Sequence, residues 1–443
     1  MNKFEKTLRF INEKITPESP FYGKIYLVGG CVRDELLGER YTDLDLLVDM
    51  PSGQKAFVEY MCDTYPDVCK GPFYYQRYGT TAMDVIIDGS LTLVECVEPH
   101  IENYAEDGVT LLETRFCSLQ EDALRRDYTC NSLYKNLATG QVIDPTGRGV
   151  DDLRNRLLRT PSEPNTIYRQ DPVRMLRGIR FKHQKGFRLD DEAWRAIVAQ
   201  HDEMQTAAPK RLRDELNKLM KARTFGEGIH DMLVCGILQY VMPGLDQCFA
   251  DNEPIERTDG QLTIWQHTRG ALSIQLKEHP HTDSLMRMAV LMADVVERYG
   301  PETATRILLA AQIGKEKVGT IVNIIRMYQR FRSFYDNGEY VSRPRALPHF
   351  LIALGARKDD FRRMVRALNY GLAPEHRLPY QDLYDGQRPD RNRKSRSRGG
   401  ERTLPQQQSS DQLPPDEIKR NRNHRRNVKR REQRKRNKRQ IGQ

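Results

Sequence analysis

The chain has 443 residues and a formal net charge of +10, which is length enough for two or three domains with separate cores. It contains no apolar run of 18 residues, no secretory signal pattern and no CxxC pair among its eight cysteines, so we expect a reduced, soluble, cytoplasmic protein without a membrane span. The charge is uneven: residues 388–443 hold 20 Lys+Arg and 6 Asp+Glu, which leaves the other residues with a net charge of −4.

The first elements in chain order are a short amphipathic helix over residues 1–15 and an apolar strand that ends at Gly29-Gly30. A helical pattern over Cys31–Leu37 follows and stops at Gly38, and a second apolar strand carries Asp43 and Asp45. Glycines without Cβ atoms let backbone amides approach phosphate oxygens, and the following helix points its positive end at the same place. Residues i and i+2 of a strand face the same way, so the two carboxylates need a cation between them. A lone GG or a lone DxD is common, but this combination favours a nucleoside triphosphate and metal site.

The stretch LVGGCVRDELLGERYTDLDLLVD (27–49) resembles the motif LVGGxVRDxLLG…DxD of the tRNA CCA-adding enzymes and bacterial poly(A) polymerases. The resemblance implies an α+β protein: a small mixed-sheet nucleotidyltransferase head, then an all-α neck, body and C-terminal helical domain. It also implies that Asp43 and Asp45 are catalytic and hold two Mg²⁺ ions. By the same resemblance the triphosphate contacts Gly29, Gly30 and Arg33.

The next segment reads as a helix over Gln54–Tyr65 and two strands, Thr80–Ile87 and Leu91–Val97, joined by an Asp88-Gly89 hairpin turn. The second strand carries Glu95 where the resembled family has a strand with a glutamate. Glu95 is therefore either a third carboxylate near the metals or a residue on a solvated face, and the sequence leaves both alternatives open.

A second motif occupies residues 118–134, SLQEDALRRDYTCNSLY. Ser118 and Glu121 form a capping box that predicts a helix start. The segment resembles the family motif EDxxRRDFTINA, with Tyr128, Cys130 and Ser132 in place of Phe, Ile and Ala. The resemblance implies that Arg126, together with Asp127, contacts the nucleotide, a task suited to a planar guanidinium. A strand end, a turn and a helix over Val150–Leu157 then lead out of the head, with a domain boundary near Gly149.

A third motif, YRQDPVRMLRGIRF (168–181), begins a helix at Asp171-Pro172. Asp171 and Arg174 share a helix face at i, i+3 spacing, and this pair offers an acceptor and a donor to the edge of adenine or cytosine, whereas guanine and uracil present the reverse order. The segment resembles the family run REDPxRMLRAxRF. Arg177 and Arg180 would support the nucleotide site. Gln170 replaces the family's Glu, which weakens the bracing of Arg174 more than its base contact.

The rest of the folded chain reads as helices. RLRDELNKLM (211–220) resembles a family body motif, and WQHT (265–268) with LMADV (291–295) resembles the metal segments of HD phosphohydrolases. Ala293-Asp294 lacks the second His, so we expect His267 to be a buried, hydrogen-bonded residue and the domain to have no phosphohydrolase activity.

The last segment is rich in Arg, Lys, Asn and Gln and cannot bury enough apolar surface to fold. Its two basic clusters suit RNA phosphates, although a solvated tail has the same composition. The expected organisation is a catalytic head (1–148), a neck and body (149–250), a degenerate HD-like helical domain (251–386) and a disordered basic tail (387–443).

The predicted function is template-independent transfer of nucleotides from ATP, with CTP as a possible second substrate, to RNA 3′ ends. Poly(A) addition is favoured, CCA addition to tRNA is the alternative, and a catalytically idle RNA-binding paralogue is a third hypothesis. We expect neither DNA nor a membrane as a partner, and the sequence does not identify protein partners.

Overall fold

The computed structural model describes residues 2–40, 42–75, 79–104, 111–339 and 357–381, without the side chains of 102–104 and 111–113. The basic tail expected at 387–443 lies outside these ranges. The first part of the chain is a mixture of strands and helices. Its elements are α1 (Lys3–Lys14), β1 (Ile25–Val28), α2 (Gly30–Leu36), β2 (Leu44–Val48), α3 (Gly53–Thr64), β3 (Cys69–Tyr75), β4 (Thr80–Ile87), β5 (Ser90–Val97), β6 (His100–Tyr104), β7 (Leu111–Phe116), α4 (Leu119–Leu124), a 3-10 turn (Thr129–Asn131), β8 (Tyr134–Asn136) and β9 (Val142–Ile143).

Seven of these strands form one mixed sheet in the order β3-β4-β5-β2-β1-β8-β9, in which only the β2–β5 pair is parallel. Apolar residues of one face, such as Leu46 and Val94, belong to a core that includes residues of α1 and α3. On the other face, Leu47 packs with Ala123 of α4 and Tyr134 of β8. α4 therefore covers the β1–β2–β8 half of that second face.

The second part of the described chain is mainly helical. Its elements are α5 (Gly149–Arg154), β10 (Leu157–Leu158), α6 (Pro164–Gln170), α7 (Val173–Lys185), β11 (Arg188–Leu189), α8 (Asp191–Ala199), a 3-10 segment (His201–Thr206), α9 (Pro209–Leu219), α10 (Phe225–Val234), α11 (Leu238–Val241), α12 (Leu245–Ala250), a 3-10 turn (Glu256–Thr258), α13 (Ile264–Glu278), α14 (Ser284–Ala310), α15 (Lys315–Asp336), α16 (Lys358–Leu368) and a 3-10 turn (Pro374–His376). The expected α+β architecture, a sheet head followed by a helical remainder, is confirmed.

Local sequence patterns predicted most of the helices and strands of the head. The Asp88-Gly89 turn adopts positive φ at both residues and joins β4 to β5. Ser118 caps α4 with both hydrogen bonds of the predicted capping box. Two features differ from expectation. The helix predicted over Val150–Leu157 ends at Arg154, because Arg156 takes positive φ and Leu157 enters a parallel pair with Arg188. The edge strand β3 has no predicted counterpart.

Two large hydrophobic cores, besides the small cluster around Leu47, organise the described chain. The head core extends to Phe181 and Phe187, and a second core runs from Ile167 to Leu378. Because α7 contributes Phe181 to the first core and Ile179 to the second, this helix joins the two parts. The second core continues across residue 250, and the boundaries expected at 148, 250 and 386 stay a proposal. No helix in the described ranges is long and apolar enough to cross a bilayer.

Candidate active site

The glycine turn lies between β1 and α2. Gly29 is the N-cap of α2 with φ +61°, a conformation that residues with a Cβ rarely adopt. A Cβ built on Gly29 would have Nη1 of Arg126 as its neighbour at 3.7 Å. The structure therefore brings together the glycine turn and Arg126, which lie in two different sequence motifs.

The carboxylates of the second strand lie next to this turn. Asp43 immediately precedes β2, and Asp45 within β2 is the register partner of Glu95 on the parallel strand β5. Burial raises the pKa of Asp45 to about 7, with further contributions from the negative charges of Asp43 and Glu95 that outweigh those of Arg126 and Arg177. Five groups predicted for the site thus influence one another electrostatically.

The same carboxylates are the candidate metal ligands. Among the described residues, no three His, Cys, Asp or Glu side chains already converge in a ready-made metal cluster. Burial, together with the negative charges of Asp43 and Glu95, raises the pKa of Asp45 more than Arg126 and Arg177 lower it, so a bound cation would stabilise the ionised carboxylate. Oxygen ligands with uncompensated charge fit a hard divalent cation such as Mg²⁺. Asp43, Asp45 and Glu95 are therefore the residues that could hold such ions.

Cys31 is a residue of this site that sequence reasoning missed. Its buried thiol donates to the carbonyl of Asp43 at 3.3 Å and accepts from the amide of Asp45 at 3.5 Å. The Cys31 side chain thereby connects α2, which follows the glycine turn, to the backbone of Asp43 and Asp45. Cys31 belongs to the motif at residues 27–49 quoted above, but its position in the sequence does not indicate a contact with Asp43 or Asp45.

Arg126 is held in place by two side chains, Asp122 of α4 and Tyr134 of β8. Its Nε and Nη2 donate to Asp122 at 2.9 and 2.8 Å, and its guanidinium lies 5.0 Å from the ring centre of Tyr134. The Tyr134 hydroxyl donates to the same carboxylate at 2.6 Å. Burial acts to raise the pKa of Asp122, but Arg126 and Arg125 outweigh it and hold that pKa well below its usual range. Asp122 is thus a permanent anion that orients Arg126 toward the glycine turn.

Arg33 and Asp127 were predicted to contact the nucleotide, and the structure gives both of them protein partners. Arg33 is buried, donates to Asp34 at 2.8 Å and to the Asn131 side chain at 2.8 Å. Asp127 accepts from the Asn131 amide at 3.0 Å and from Arg177 at 2.7 Å. Asn131 therefore links the two, and both residues brace the head against α7 in this structure.

Three arginines surround one buried aromatic ring on α7. The guanidinium carbons of Arg33, Arg177 and Arg180 lie 4.9, 5.4 and 4.0 Å from the ring centre of Phe181. Each arginine also has a carboxylate partner; these are Asp34, Asp127 and Glu215, from three separate segments. We call this set the Phe181 cluster (Arg33, Arg177, Phe181, Arg180 and their three carboxylates). It fixes α7 against both the head and α9.

The predicted base-reading pair, Asp171 and Arg174, has a third residue beside it, and its role stays a prediction. Arg174 Nε lies 3.9 Å from Asp171, whereas Arg211 of α9 donates to both Asp171 oxygens at 2.9 and 2.7 Å. The Asp171 carboxylate also accepts from the amide of Val173 at 3.2 Å, which is the capping contact that the sequence predicts. Arg180 faces Glu215 of α9 at 2.5 Å. Arg211 belongs to a quoted motif, but nothing in its local spacing indicated Asp171 as its partner.

A close packing contact joins the head to α7. Tyr128 is buried, and its hydroxyl donates to the carbonyl of Arg174 at 2.8 Å. A Cβ placed on Gly178 would overlap this hydroxyl. The absence of a side chain at Gly178 is therefore what makes room for the phenol.

The HD-like segment forms a separate buried polar contact. His267 is almost fully buried, with Nδ1 at 2.7 Å from Asp294 and Nε2 at 3.3 Å from the carbonyl of Leu368. Thr268 donates to the same Asp294 oxygen at 2.7 Å. His267 is thus a buried, hydrogen-bonded histidine as expected, and the absence of phosphohydrolase activity stays a prediction.

Comparison with protein families assigns two segments. Residues 25–159 match the family "Poly A polymerase head domain", and residues 186–249 match "Probable RNA and SrmB- binding site of polymerase A". Poly(A) polymerase I of Escherichia coli O157:H7 is 30% identical over 246 residues, which cover 55% of this chain and 52% of that protein. The CCA-adding enzyme of Limosilactobacillus reuteri is 32% identical over 227 residues (51% and 52%), and that of Bacillus pumilus is 30% identical over 284 residues (61% and 67%). The chain thus spans about half the length of the first two relatives.

Solved structures with a similar fold include the Bacillus stearothermophilus CCA-adding enzyme in complex with CTP, with a TM-score of 0.56, 22% identity, and coverage of 86% of this chain and 82% of that one. The Thermotoga maritima CCA-adding enzyme complexed with tRNA gives a TM-score of 0.56 at 19% identity, with coverage of 86% and 85%. These solved structures share with this chain a sheet head followed by a helical remainder. The chain belongs to the family of poly(A) polymerases and CCA-adding enzymes.

Proposed function

We propose that this chain is a template-independent nucleotidyltransferase that adds adenylates from ATP to RNA 3′ ends. The observation that carries the proposal is the position of Asp45, which lies beside Glu95 and Asp43 and within electrostatic reach of Arg126. Carboxylates for metal ions and a guanidinium for phosphates thereby meet at the start of the central strand β2, next to the glycine turn. Phosphoryl transfer needs this combination because its catalysis is mostly positioning and charge stabilisation.

In the proposed mechanism Asp43 and Asp45, with Glu95 beside them, hold two Mg²⁺ ions. When bound, such ions activate the RNA 3′ hydroxyl and stabilise the leaving pyrophosphate. Arg126 donates to the triphosphate or ribose, and its orientation is fixed by Asp122. Gly29 and Gly30 let the backbone approach the phosphates. Arg33, Asp127, Arg177 and Arg180 act through the Phe181 cluster, which positions α7 for the base.

The engagement of Asp171 by Arg211 supports adenylate addition over CCA addition. A CCA-adding enzyme must accept both a pyrimidine and a purine in one site, whereas the ion pairs Arg180–Glu215 and Arg211–Asp171 tie α7 and the segment just before it to α9 and so oppose a change in their spacing. With Asp171 engaged by Arg211, Arg174 is the proposed base-edge donor; one of its terminal nitrogens, Nη1, donates to the carbonyl of Ile167 at 3.1 Å. CCA addition is the second candidate, favoured by the 3.9 Å approach of Arg174 to Asp171, which keeps an acceptor and donor pair close together.

RNA is the proposed partner of the helical part and of the basic tail (387–443). About six phosphate contacts on single-stranded RNA would make log K fall with log salt at a slope of roughly −4. All eight cysteines are unpaired thiols, which supports the proposal of a reducing, cytoplasmic location. Deletion of 388–443 is expected to weaken RNA binding and shorten the products while leaving addition of the first nucleotide largely intact. Unchanged RNA affinity after this deletion contradicts the role of the tail.

Product analysis tests the activity directly. The protein is incubated with labelled ATP or CTP, separately and together, on tRNA lacking CCA and on an unstructured RNA. A ladder with ATP alone supports poly(A) addition, a stop after three nucleotides supports CCA addition, and no product supports the idle paralogue. Asp43→Ala is expected to abolish incorporation and to keep nucleotide binding in EDTA. Asp63→Ala, an exposed carboxylate of α3, is the matched control.

A further inference from the structure

The sheet has an apolar surface outside the site described above. Five large apolar side chains on β3, β4 and β5 are between 36% and 50% exposed, although apolar residues of a sheet face are ordinarily covered. We call this set the aromatic face; it consists of Phe73, Tyr75, Ile86, Leu91 and Leu93. Among the described residues, the α4 cluster on the same side of the sheet includes β1, β2 and β8 and reaches β5 at Val97, the last residue of that strand.

The strand register connects the aromatic face to the catalytic carboxylates. Phe73 pairs with Ala82, Ala82 pairs with Glu95, and Glu95 pairs with Asp45. Direct cross-strand partners project from the same face of a sheet, so Phe73 points to the side that carries Asp45. Three strand spacings of about 4.8 Å separate the two residues, or roughly 14 Å.

The neighbouring residues of β3 provide an internal contrast. Tyr75 pairs with Thr80 and projects to the same side as Phe73, whereas Tyr74 projects to the opposite side. The Tyr74 hydroxyl accordingly donates to Glu59 of α3 at 2.6 Å, and α3 packs on that opposite side. Phe73 and Tyr75 thus share a face, and Tyr74 is an equally exposed aromatic residue that does not belong to it.

We propose that the aromatic face binds the single-stranded 3′ segment of the RNA acceptor, with bases stacked on Phe73 and Tyr75. The inference rests on the proposed function, because an RNA whose 3′ hydroxyl reaches Asp45 must pass over an adjoining surface. Aromatic side chains bind unpaired bases without sequence preference. Asp84, which pairs with Leu93, also projects from this side, and its negative charge directs the phosphates away from the sheet. At about 3.4 Å per stacked nucleotide, the base near the fourth position from the 3′ end lies over Phe73.

A fluorescent base tests this geometry without requiring turnover. RNAs with 2-aminopurine at each of the last six positions are bound to the full-length protein without ATP. In the unsubstituted protein, we expect stacking to quench the fluorescence most strongly near the third and fourth positions from the 3′ end. Phe73→Ala and Tyr75→Ala are expected to remove this quenching and to raise the KM for RNA about tenfold, with the KM for ATP unchanged. Phe73→Trp is expected to restore both.

Tyr74→Ala is the matched control, because it removes an exposed aromatic ring from the same strand on the opposite face. Thermal unfolding of each variant separates loss of stacking from loss of structure. Equal quenching in Phe73→Ala and in the unsubstituted protein overturns the proposal, as does an equal loss in Tyr74→Ala. A change of oligomeric state in Phe73→Ala without a change in quenching also overturns it, in favour of self-association. A protein that quenches normally but adds no nucleotide contradicts the proposed function and leaves the RNA surface standing.

Discussion

Arg211 donates through both of its terminal nitrogens to the two carboxylate oxygens of Asp171, at 2.9 and 2.7 Å. The two residues are 40 positions apart, on α9 and at the start of α7. A bidentate pair of this kind is geometrically specific and stronger than a single hydrogen bond. It decides whether Asp171 is available to accept from the exocyclic amine of a base.

Arg211→Ala is expected to change nucleotide selection. Freeing Asp171 restores an acceptor beside Arg174 that the exocyclic amines of adenine and cytosine can both reach, so kcat/KM for ATP and CTP relative to GTP and UTP should rise about tenfold, the size of one hydrogen bond to a charged group. Steady-state incorporation of the four nucleotides on an unstructured RNA measures the ratio. Arg213→Ala on the same helix is the control, since Arg213 pairs with its neighbour Asp214. An unchanged preference for ATP and CTP over GTP and UTP in Arg211→Ala refutes the assignment.

Phe181→Leu is expected to loosen the Phe181 cluster. Leucine keeps an apolar side chain but removes the ring face that attracts three guanidinium groups, so the KM for ATP should rise about tenfold with a smaller change in kcat. Phe181→Tyr should keep most of the affinity. Phe187→Leu is the packing control, because Phe187 is equally buried but has a single arginine, Arg156, at 5.9 Å. If the two leucine variants behave alike, the cluster acts only through packing.

His267 makes stability depend on pH. Burial lowers the pKa of His267, but the Asp294 carboxylate at 2.7 Å raises it more, so the net shift is upward. The folded state therefore favours the protonated imidazole, and this contribution is present below the ordinary pKa of about 6.5 and is lost as pH rises through the folded value. The free energy of urea unfolding should fall by about 1 kcal/mol more between pH 6 and 9 in the unsubstituted protein than in His267→Gln. The exposed His281→Gln serves as control; equal slopes in all three proteins contradict the prediction.

Gly178 and Tyr128 are expected to be energetically coupled. Gly178→Ala forces a methyl group against the Tyr128 hydroxyl and should cost about 2 kcal/mol of stability. Tyr128→Phe removes the donor to the Arg174 carbonyl and should cost about 1 kcal/mol. The double variant should be more stable than the sum of the two changes, because phenylalanine leaves space for the methyl group. Urea unfolding of the unsubstituted protein, the two single variants and the double variant gives the coupling energy. If the two changes in the free energy of unfolding are additive, the contact between Tyr128 and Gly178 relaxes without cost and the prediction is wrong.

Local patterns predicted much of the head because their physical causes are local. The Ser118–Glu121 capping box and the Asp88-Gly89 turn each involve only a few neighbouring residues, and both occur as predicted. β3 was missed because its sequence, CKGPFYY, contains Gly-Pro and exposes most of its residues at a sheet edge. Without burial on one face, the strand lacks the apolar alternation on which the prediction depends.

Residue types in the site were predictable, but their partners were not. Arg33 and Asn131 are 98 positions apart, and Arg177 and Asp127 are 50 apart, so their contacts exist only in the folded chain. The structure gives Arg33 and Asp127 protein partners that the sequence did not indicate, and their contact with the nucleotide stays a prediction. The proximity of Asp45 and Glu95 likewise depends on the parallel pairing of β2 with β5, which periodicity cannot show.

The contact between Tyr128 and Gly178 limits how this chain can be recombined with its relatives. The resembled motifs carry Phe at the first position and Ala at the second, so both differences occur here together. A chimera with this head and a relative's α7 would place a phenol against a methyl group. The reciprocal chimera would leave an unfilled space beside Gly178. It would also leave the carbonyl of Arg174 without the hydrogen bond that the Tyr128 hydroxyl donates. Functional swaps between such enzymes therefore have to exchange both segments at once, even where the crossover point lies in an apparently permissive loop.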